Sequence, residues 1–557
     1  MRFVLLISFF VINLLKAGAQ SPKTTLFDTV SFKKEMINYF NKLKLPGLSV
    51  AVVHQGKIIY RQTEGFADTV KRTPIQANSI FPVASITKSF TAVLLMKYAE
   101  EGRISLDDYL LDYPFNRMGW AVTSINPDVR LKHFLSQTSE GEPGINFIYN
   151  GSRFNYLYGV FEKISGQQTI PKAYFEELQK NILTPLHLTS TFSGYPDSAD
   201  KTVLSRIVTP YNYDPKKGFT VDSGFYKNHD AYPGSALTTS IDDLVRYSNA
   251  LDNNELISAG SYKKMTTPYK NQKGLLMPYG LGWFSETIGG VPFHWSYGFG
   301  DSHAALLIRV PEKRLTFIML SNSGIPTGAL RLGSGHLLHS PFAISFARHF
   351  VLAGQITDQA IDYNSDAATI EKAFAKFRPG KKDSIWYEQL IAEALFARFI
   401  ETKMDGPKNK AKELLKLLHA IYPARFSIFD PTLLWLLADL SDEALALPMQ
   451  NAIDAYKRSV HFHPETLQNI IEFHKKTNRE EKALPFYHLL ADSKGFETKG
   501  SVIEACAFLG RHYMAKGNVA KGRDYLWRSV LYAKQAGYNT KYIDERIAEM
   551  KQGNGQK

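Results

Sequence analysis

Two strand hairpins, far apart in the chain, constrain the fold more than any other feature. The segment LSVAVVHQGKIIYRQTEGFAD (48–68) has the pattern of two strands joined by a turn at Gln55-Gly56. HAALLIRV (303–310) and RLTFIMLSN (314–322) form a second strand pair around the turn PEK. Helical patterns lie between the hairpins, at 84–102, around 130–137 and at 155–165. We therefore predict an α+β fold, an antiparallel sheet flanked by helices whose first and last strands pair.

The length and a change of pattern predict at least two domains. At 557 residues the chain exceeds a single ordinary core. The mixed pattern covers residues 30–355, and only helical patterns remain over 360–557. Because domain boundaries fall where few contacts cross, a chain ending near residue 355 is expected to fold by itself.

The helical region has the features of paired helices. In ACAFLGRHYMAKGNVAKGRDYLWRS (505–529) the offsets between certain apolar and small residues resemble those of a tetratricopeptide repeat. These residues are Leu509, Gly510, Tyr513, Gly522, Leu526 and Ser529. Related segments upstream repeat at irregular spacing, so the repeats are degenerate. We predict an all-α, tetratricopeptide-like domain, and a protein partner is one role open to it.

The N-terminus is typical of a secretory signal peptide. Arg2 precedes a mostly apolar run over 3–15, and Ala17-Gly18-Ala19 follows as a small-residue cleavage pattern. An uncleaved anchor is the alternative, since Lys16 follows the apolar run. We predict a signal peptide over 1–19, export to the periplasm or beyond the cell, and no membrane association apart from this segment.

Composition indicates a soluble globular protein that does not bind nucleic acid. Hydrophobic residues make up 44% of the chain and charged residues 21%, and the formal charge of +13 contains no long basic tract. The chain has one cysteine, Cys506, so no intrachain disulfide can form. His461 and His463 lie close enough to suggest a metal ligand pair, but a surface loop is the favoured interpretation. We predict neither a metal nor a cofactor.

The segment FPVASITKSFTAVLLM (81–96) places a serine and a lysine at the start of a helix with one apolar face. Residues three apart share a helix face, so Lys88 lies one turn behind Ser85. A serine hydroxyl needs a proton acceptor to become a nucleophile, and burial lowers the pKa of a lysine. Free N–H groups at a helix N-terminus would stabilise an oxyanion. For an isolated pattern of this kind, however, a helix cap beside an exposed lysine is the commoner explanation.

Flanking segments change that balance. PGLSVAVVHQGKIIY, FPVASITKSFTAVLLMKYAEEGRISLDD and LKHFLSQTSEG resemble successive segments of the serine β-lactamase and penicillin-binding-protein superfamily. The branch they resemble includes the class C β-lactamases and their esterase and peptidase relatives. The resemblance continues through YPGSALTTSIDDLVRYSNAL (232–251), YGLGWF (279–284) and LLIRVPEKRLTFIMLSNS (306–323), and so covers roughly residues 30 to 350. It implies that Ser85 is the nucleophile and Lys88 its proton acceptor.

The superfamily's second motif, Tyr-x-Asn, is altered in this chain. In FIYNGSRFNYLYGVFEKISG (147–166) an ungapped match puts Tyr149 on the motif tyrosine, which implies a role in proton transfer. The motif asparagine then falls on Gly151, although a one-residue slip would bring Asn150 into its place. A packed aromatic residue is the alternative role for Tyr149.

The third motif, Lys-Thr-Gly or His-x-Gly, also departs from the superfamily. Within PFHWSYGFGDSHAALL (292–307) the best match is Ser296-Tyr297-Gly298, so a hydroxyl replaces the usual cation. His294, two residues earlier on the same strand face, is a candidate substitute for that cation. By analogy, the resemblance implies an oxyanion hole made by the N–H groups of Ser85 and Phe299.

Two functions follow from these motifs. The first is an exported serine hydrolase that acts through an acyl-enzyme on an ester, an amide or a β-lactam-like compound, including small or cell-wall-derived acyl substrates. The second is a non-catalytic descendant that binds ligands in the pocket and recruits partners through its helical domain. An α/β-hydrolase or a zinc peptidase lacks support, because neither G-x-S-x-G nor H-E-x-x-H occurs. The altered motifs predict a preference for neutral short-chain esters over carboxylate-bearing β-lactams and D-alanyl peptides.

Overall fold

A computed structural model describes most of the chain. It covers residues 27–114, 125–167, 170–353, 368–369, 372, 385–404, 406, 408–459 and 463–552. The predicted signal segment 1–19 and His461 lie outside these ranges. Within them, no helix combines the length and the apolar character needed to cross a membrane.

The strands of the first part form a central sheet and two small ones. Their bounds are β1 Gly47–His54, β2 Lys57–Asp68, β3 Thr73–Pro74, β4 Ile80–Pro82, β5 Phe192–Ser193, β6 Tyr211–Asp214, β7 Gly218–Val221, β8 Leu237–Ser240, β9 Phe284–Ile288, β10 Val291–Gly300, β11 His303–Val310 and β12 Leu315–Ser321. The central sheet has seven strands in the order β3-β2-β1-β12-β11-β10-β9. β4, β8 and β5 form a second sheet, and β6 pairs with β7.

In chain order, β1 and β12 are the first and last strands of the central sheet, and they pair, which confirms the predicted topology. β1 runs antiparallel to β12, with Leu48 opposite Ser321. The turn between β1 and β2 has φ of 51° at Gln55 and 78° at Gly56. Two left-handed residues in succession give the twist that a two-residue hairpin loop requires.

Helices flank the sheet and then form the rest of the chain. In the first part they are α1 Thr29–Lys42, α2 Thr87–Glu100, α3 Leu131–Leu135, α4 Gly151–Phe154, α5 Tyr158–Ser165, α6 Ile170–Leu178, α7 Lys201–Leu204, α8 Ile241–Asp252, α9 Ala259–Thr266, α10 Ile325–Gly328 and α11 Pro341–Phe346. In the second part they are α12 Ile385–Lys403, α13 Lys410–Ile421, α14 Pro431–Leu440, α15 Ala446–Arg458, α16 Pro464–Lys476, α17 Glu480–Ala491, α18 Gly500–Ala515, α19 Val519–Gln535 and α20 Thr540–Gln552.

Alternate residues of the central strands enter two separate cores. Ala51 and Val53 of β1 pack in the core that contains most of α2. Val50 and Val52 face the opposite side, where they join a core that includes residues of α1 and α11. Because successive side chains of a strand point to opposite faces, β1, which is buried from Gly47 to Val53, is covered by helices on both faces.

The helix that carries Lys88 is more deeply buried than its pattern indicates. A helix with one apolar face was expected over this segment, yet every residue from Thr87 to Met96 is buried. The helix lies inside the first part, within the core that also contains Leu307 and Ile318 of the sheet. Its polar side chains therefore need partners inside the protein.

Glycines lie where α18 and α19 touch. A Cβ atom added at Gly510 would lie 2.5 Å from the Leu526 side chain, and one added at Gly522 would lie 2.6 Å from Met514. Both distances are shorter than van der Waals contact, so side chains at these positions would push the helices apart. The two small residues identified in the sequence thus lie at a close contact between paired helices.

The helical part does not stand apart from the first part. Ala392 and Phe396 of α12 belong to the same core as Phe32 of α1. Lys42 Nζ lies 3.5 Å from a carboxylate oxygen of the buried Glu393. Contacts therefore cross between the parts, contrary to the expectation, because α12 packs on this core and, through Leu390 and Ile391, on the core of the helical part. A chain ending near residue 355 would expose apolar surface that α12 covers.

Candidate active site

Ser85 lies on a tight turn between β4 and α2. The turn is the 3₁₀ segment Ala84–Ile86, and Ala84 has φ of 42° in the left-handed region. A non-glycine residue in this region is strained, and such strain persists only where its surroundings impose it. The Thr87 hydroxyl donates to the Ala84 carbonyl at 2.6 Å, and the Val83 N–H donates to the Leu237 carbonyl at 2.9 Å. Both ends of the turn are thereby fixed.

Lys88 contacts Ser85 directly. Its Nζ donates to Ser85 Oγ at 2.7 Å and to the Gly234 carbonyl at 2.6 Å. The Lys88 side chain is fully buried, and this burial lowers its pKa to about 7. A lysine amine is a proton acceptor only when it is neutral, and this value gives a substantial neutral fraction near pH 7. The arrangement supplies a base one hydrogen bond from the serine hydroxyl.

Tyr149 lies on the other side of the same pair. Its hydroxyl hydrogen-bonds with the Ser85 side chain, and its ring centroid is 5.3 Å from Lys88 Nζ. Burial raises the pKa of Tyr149, so the phenol is neutral at physiological pH. The ring also packs against Tyr297, with centroids 5.4 Å apart. Tyr149 is thus a packed aromatic residue that also hydrogen-bonds with the serine, and its role in proton transfer stays a prediction.

The position of the motif asparagine is occupied by a glycine. A Cβ atom added at Gly151 would lie 3.4 Å from Lys88 Nζ, so this position faces the lysine without a side chain. Asn150 is committed elsewhere: its side-chain oxygen accepts from the N–H groups of Ser152 and Arg153 and caps α4. Its amide nitrogen donates to Glu140 at 2.7 Å. The structure does not place Asn150 against Lys88.

Two residues that the sequence did not single out support the lysine. Asn155 Oδ1 accepts the Gly234 N–H at 2.6 Å, and the Gly234 carbonyl accepts from Lys88. A Cβ atom added at Gly234 would lie 2.6 Å from both Asn155 Oδ1 and the Gly151 carbonyl oxygen, so only glycine fits there. The glycine is within YPGSAL, but Asn155 is 79 residues away along the chain, and nothing local signals their contact.

The third motif lies on β10 beside the Ser85 turn. A Cβ atom added at Gly298 would lie 2.1 Å from the Val83 carbonyl oxygen, so β10 approaches the turn as closely as a glycine allows. Ser296 is buried two residues earlier, and Phe299 is half-exposed. The turn and β10 therefore bring the N–H groups of Ser85 and Phe299 onto adjoining segments, as an oxyanion hole would require.

His294 does not restore the missing cation. Its Nδ1 lies 3.0 Å from the Tyr262 hydroxyl, and it is paired across the sheet with Arg309. Burial, assisted by the charge of Arg309, lowers the pKa of His294 to about 4. The imidazole is therefore neutral near pH 7. The structure brings His294 to Tyr262 rather than to Ser85.

Comparison with known proteins identifies the family. A family model described as Beta-lactamase matches residues 32–336, more than half of the chain. The chain belongs to the beta-lactamase family. The matched residues contain Ser85, Lys88, Tyr149 and the whole central sheet, so the family extends to the candidate site. Family members include β-lactamases and penicillin-binding proteins.

Individual relatives of this beta-lactamase-family chain are distant. A penicillin-binding protein of Bacillus subtilis (strain 168) is 23% identical over 347 residues, 55% of this chain and 73% of the relative. Protein flp of Staphylococcus aureus (strain N315) is 22% identical over 314 residues, 50% of this chain and 60% of that protein. A D-aminopeptidase of Brucella canis is 26% identical over 275 residues, 44% of this chain and 50% of the relative.

Solved structures are similar to this chain over about half of its length. The octameric penicillin-binding protein homologue from Pyrococcus abyssi has a TM-score of 0.47 and 22% identity, covering 54% of this chain and 75% of its own. A class C β-lactamase from Rhodobacter sphaeroides has a TM-score of 0.43 and 16% identity, covering 53% of this chain and 95% of its own.

The lowered pKa of Lys88 predicts how activity of this family member depends on pH. Below the pKa of about 7 the ammonium group cannot accept the serine proton, and above it the neutral amine can. We expect kcat/KM for a neutral ester to rise with pH through a single ionisation near neutrality. The measurement is a profile between pH 5 and 9, corrected for spontaneous hydrolysis. A flat profile would contradict the role of Lys88 as base.

Proposed function

We propose that this chain is a serine hydrolase that cleaves neutral esters or amides through an acyl-enzyme on Ser85. The observation that carries the proposal is the fully buried Lys88 Nζ, 2.7 Å from Ser85 Oγ. Burying a lysine without a function would be costly, and a perturbed pKa beside a serine in a cleft is characteristic of an activated nucleophile. The related D-aminopeptidase of Brucella canis is consistent with hydrolysis of a carbonyl compound.

The proposed reaction has two halves. Lys88 takes the Ser85 proton as Oγ attacks the carbonyl carbon, and the N–H groups of Ser85 and Phe299 stabilise the oxyanion. Lys88 then returns the proton to the leaving oxygen or nitrogen as its bond to carbon breaks. Water attacks the acyl-enzyme in the second half, its proton passes to Lys88 and back to Ser85 Oγ, and the acid leaves. The hydroxyl of Tyr149 assists transfer through its hydrogen bond to Ser85.

The altered motifs support a neutral substrate. Ser296 offers only a neutral hydrogen bond where a cation would pair with a carboxylate, and charge-assisted bonds are roughly twice as strong. Gly151 offers no side chain, and His294 is neutral and bonded to Tyr262. The non-catalytic alternative would keep the pocket without turnover, so hydrolysis of any ester that depends on Ser85 decides between the two. Export through the segment 1–19 belongs to the same proposal and is supported by the sequence pattern alone.

The substrate preference is expected to respond to a charge at position 296. The wild type should have a higher kcat/KM for a butyrate ester than for a cephalosporin. Ser296→Lys should raise the relative kcat/KM for the cephalosporin about tenfold, the difference between a neutral and a charged hydrogen bond. Ser296→Met is the control, because it adds similar length at the same buried position without charge.

Two results would contradict this preference. One is a wild type that hydrolyses the cephalosporin better than the ester. The other is a Ser296→Lys variant whose kcat/KM for the cephalosporin, relative to that for the ester, matches the same ratio in Ser296→Met.

A further inference from the structure

A cavity of about 650 Å³ has Tyr149, the hydrogen-bonding partner of Ser85, in its wall. Tyr149, which hydrogen-bonds with Ser85, and Phe299, which follows the third motif, both line it. The cavity continues away from these residues to Phe429 and Asn469 of the helical part. It is therefore a space between the two parts of the chain that reaches Tyr149, one hydrogen bond from Ser85, without being lined by Ser85 itself.

The wall of the cavity is largely apolar and aromatic. Phe147, Tyr297 and Phe429 contribute aromatic side chains to it. Leu276 and Phe299 also line the cavity, although 65% of the Leu276 residue surface and 49% of the Phe299 surface are exposed. Large apolar side chains exposed in a concave site mark a surface that binds an apolar group.

The charges in the cavity occur in opposite pairs. Arg331 forms an ion pair with Glu465, and its guanidinium carbon lies 4.5 Å from the ring centroid of Trp435. Glu286 lies across from His336, with the closest oxygen and nitrogen 4.0 Å apart, and although burial opposes it, Asp430 and Glu286 raise the pKa of His336 and favour its charged form. Because each charge has an opposite charge beside it, the wall offers no surplus charge to an ionic ligand.

The helical part holds one side of the cavity in place. Glu465 belongs to α16 and pairs with Arg331 of the first part, and the Thr432 hydroxyl of α14 donates to Ser334 Oγ at 2.8 Å. His463 also lines this side, and burial lowers its pKa, so the imidazole is neutral. The helical part thus adds a wall at a fixed position, and its Glu465 carboxylate is paired with Arg331.

We infer that this cavity binds the large apolar portion of a neutral ester or amide, and that the helical part selects substrates by forming its outer wall. The inference rests on the proposed function and extends it. Cavities of roughly 300–1,000 Å³ hold drug-sized ligands, so this space exceeds what a short acyl chain fills. It takes the substrate beyond the short-chain esters that the motifs favour.

The test compares esters of different length on full-length variants. Ethyl acetate has no long chain. Ethyl octanoate has a long chain on the acyl side, and octyl acetate has one on the alcohol side. Asn469→Trp fills the cavity from α16. Gln468→Trp is the matched control, because Gln468 is the exposed neighbour of Asn469 on the same helix and does not line the cavity. Leu276→Asp removes apolar surface at an exposed position, where the fold tolerates the change.

For the wild type we expect kcat/KM for one of the long esters to exceed that for ethyl acetate at least tenfold. Asn469→Trp and Leu276→Asp should each lower this ratio at least tenfold, and Gln468→Trp should leave it within about twofold. A wild type without a preference for length, or a preference that survives both cavity variants, would overturn the inference and leave the proposed function standing. Absence of hydrolysis of all three esters would overturn both.

Discussion

Ser85→Ala is expected to remove ester hydrolysis and covalent labelling while the fold stays intact. Ser85 Oγ is the atom that Lys88 and Tyr149 both contact, so no neighbouring hydroxyl inherits its position. Loss of a nucleophile that works as a unit with its base costs roughly 10⁴-fold or more in kcat. The partly exposed side chain loses a single oxygen, so little packing changes. The measurement is kcat for a neutral ester, together with the thermal melting temperature.

Ser89→Ala is the matched control for this variant. Ser89 is a buried serine on α2, the helix that follows the Ser85 turn, and its hydroxyl donates to the Ile86 carbonyl at 2.7 Å rather than to Ser85 or Lys88. It should retain activity within a few-fold of wild type. Hydrolysis that survives in a Ser85→Ala protein with wild-type melting would show that another residue is the nucleophile.

Lys88→Met is expected to lower kcat/KM about 10²- to 10⁴-fold, the usual contribution of a general base. The variant keeps the length of the side chain inside the core but leaves the serine proton without its nearest acceptor. Because the lysine is buried at a cost in solvation, its loss should not lower the melting temperature as an ordinary core substitution does. The measurement is kcat/KM near pH 8, where the wild-type amine is mostly neutral.

Lys97→Met provides the control for the lysine. Lys97 is on the same helix, partly exposed, and its Nζ lies 3.0 Å from Glu101 in a surface ion pair. Such pairs contribute little to stability, so both activity and melting should stay close to wild type. Turnover of Lys88→Met near the wild-type rate would assign the base to Tyr149 instead.

The sheet was predictable because its information is local. Strand-forming apolar runs around the Gln55-Gly56 turn and around the turn PEK specify the two hairpins, and the pairing of β1 with β12 follows from the need to bury both. The burial of α2 was not predictable in the same way. Its polar residues, Lys88 among them, resemble an exposed face until the sheet and the surrounding helices enclose them. Likewise, the composition change near residue 360 does not reveal that α12 packs on a core of the first part as well as on the core of the helical part.

The candidate site also contains some contacts that the sequence predicts locally and others that it does not. The contact of Ser85 with Lys88 follows from helical spacing, whereas the Asn155–Gly234 bond joins distant segments and has no local signature. Strand periodicity gave the correct face for His294 on β10, but it did not reveal its hydrogen-bond partner, because Tyr262 reaches it from helix α9. Specific tertiary contacts of this kind depend on packing that a single sequence pattern does not contain.

The most direct test of the account is to locate the reactive serine by mass spectrometry. The wild type is treated with a fluorophosphonate, which reacts with activated serines. The mass of the intact protein is then measured, and peptide mapping locates the adduct. We expect one phosphonyl group per chain, on the peptide that contains Ser85, with labelling that slows as the pH falls below the Lys88 pKa of about 7. An adduct on another residue, or a folded wild-type protein that stays unlabelled, would contradict the assignment of Ser85 as nucleophile.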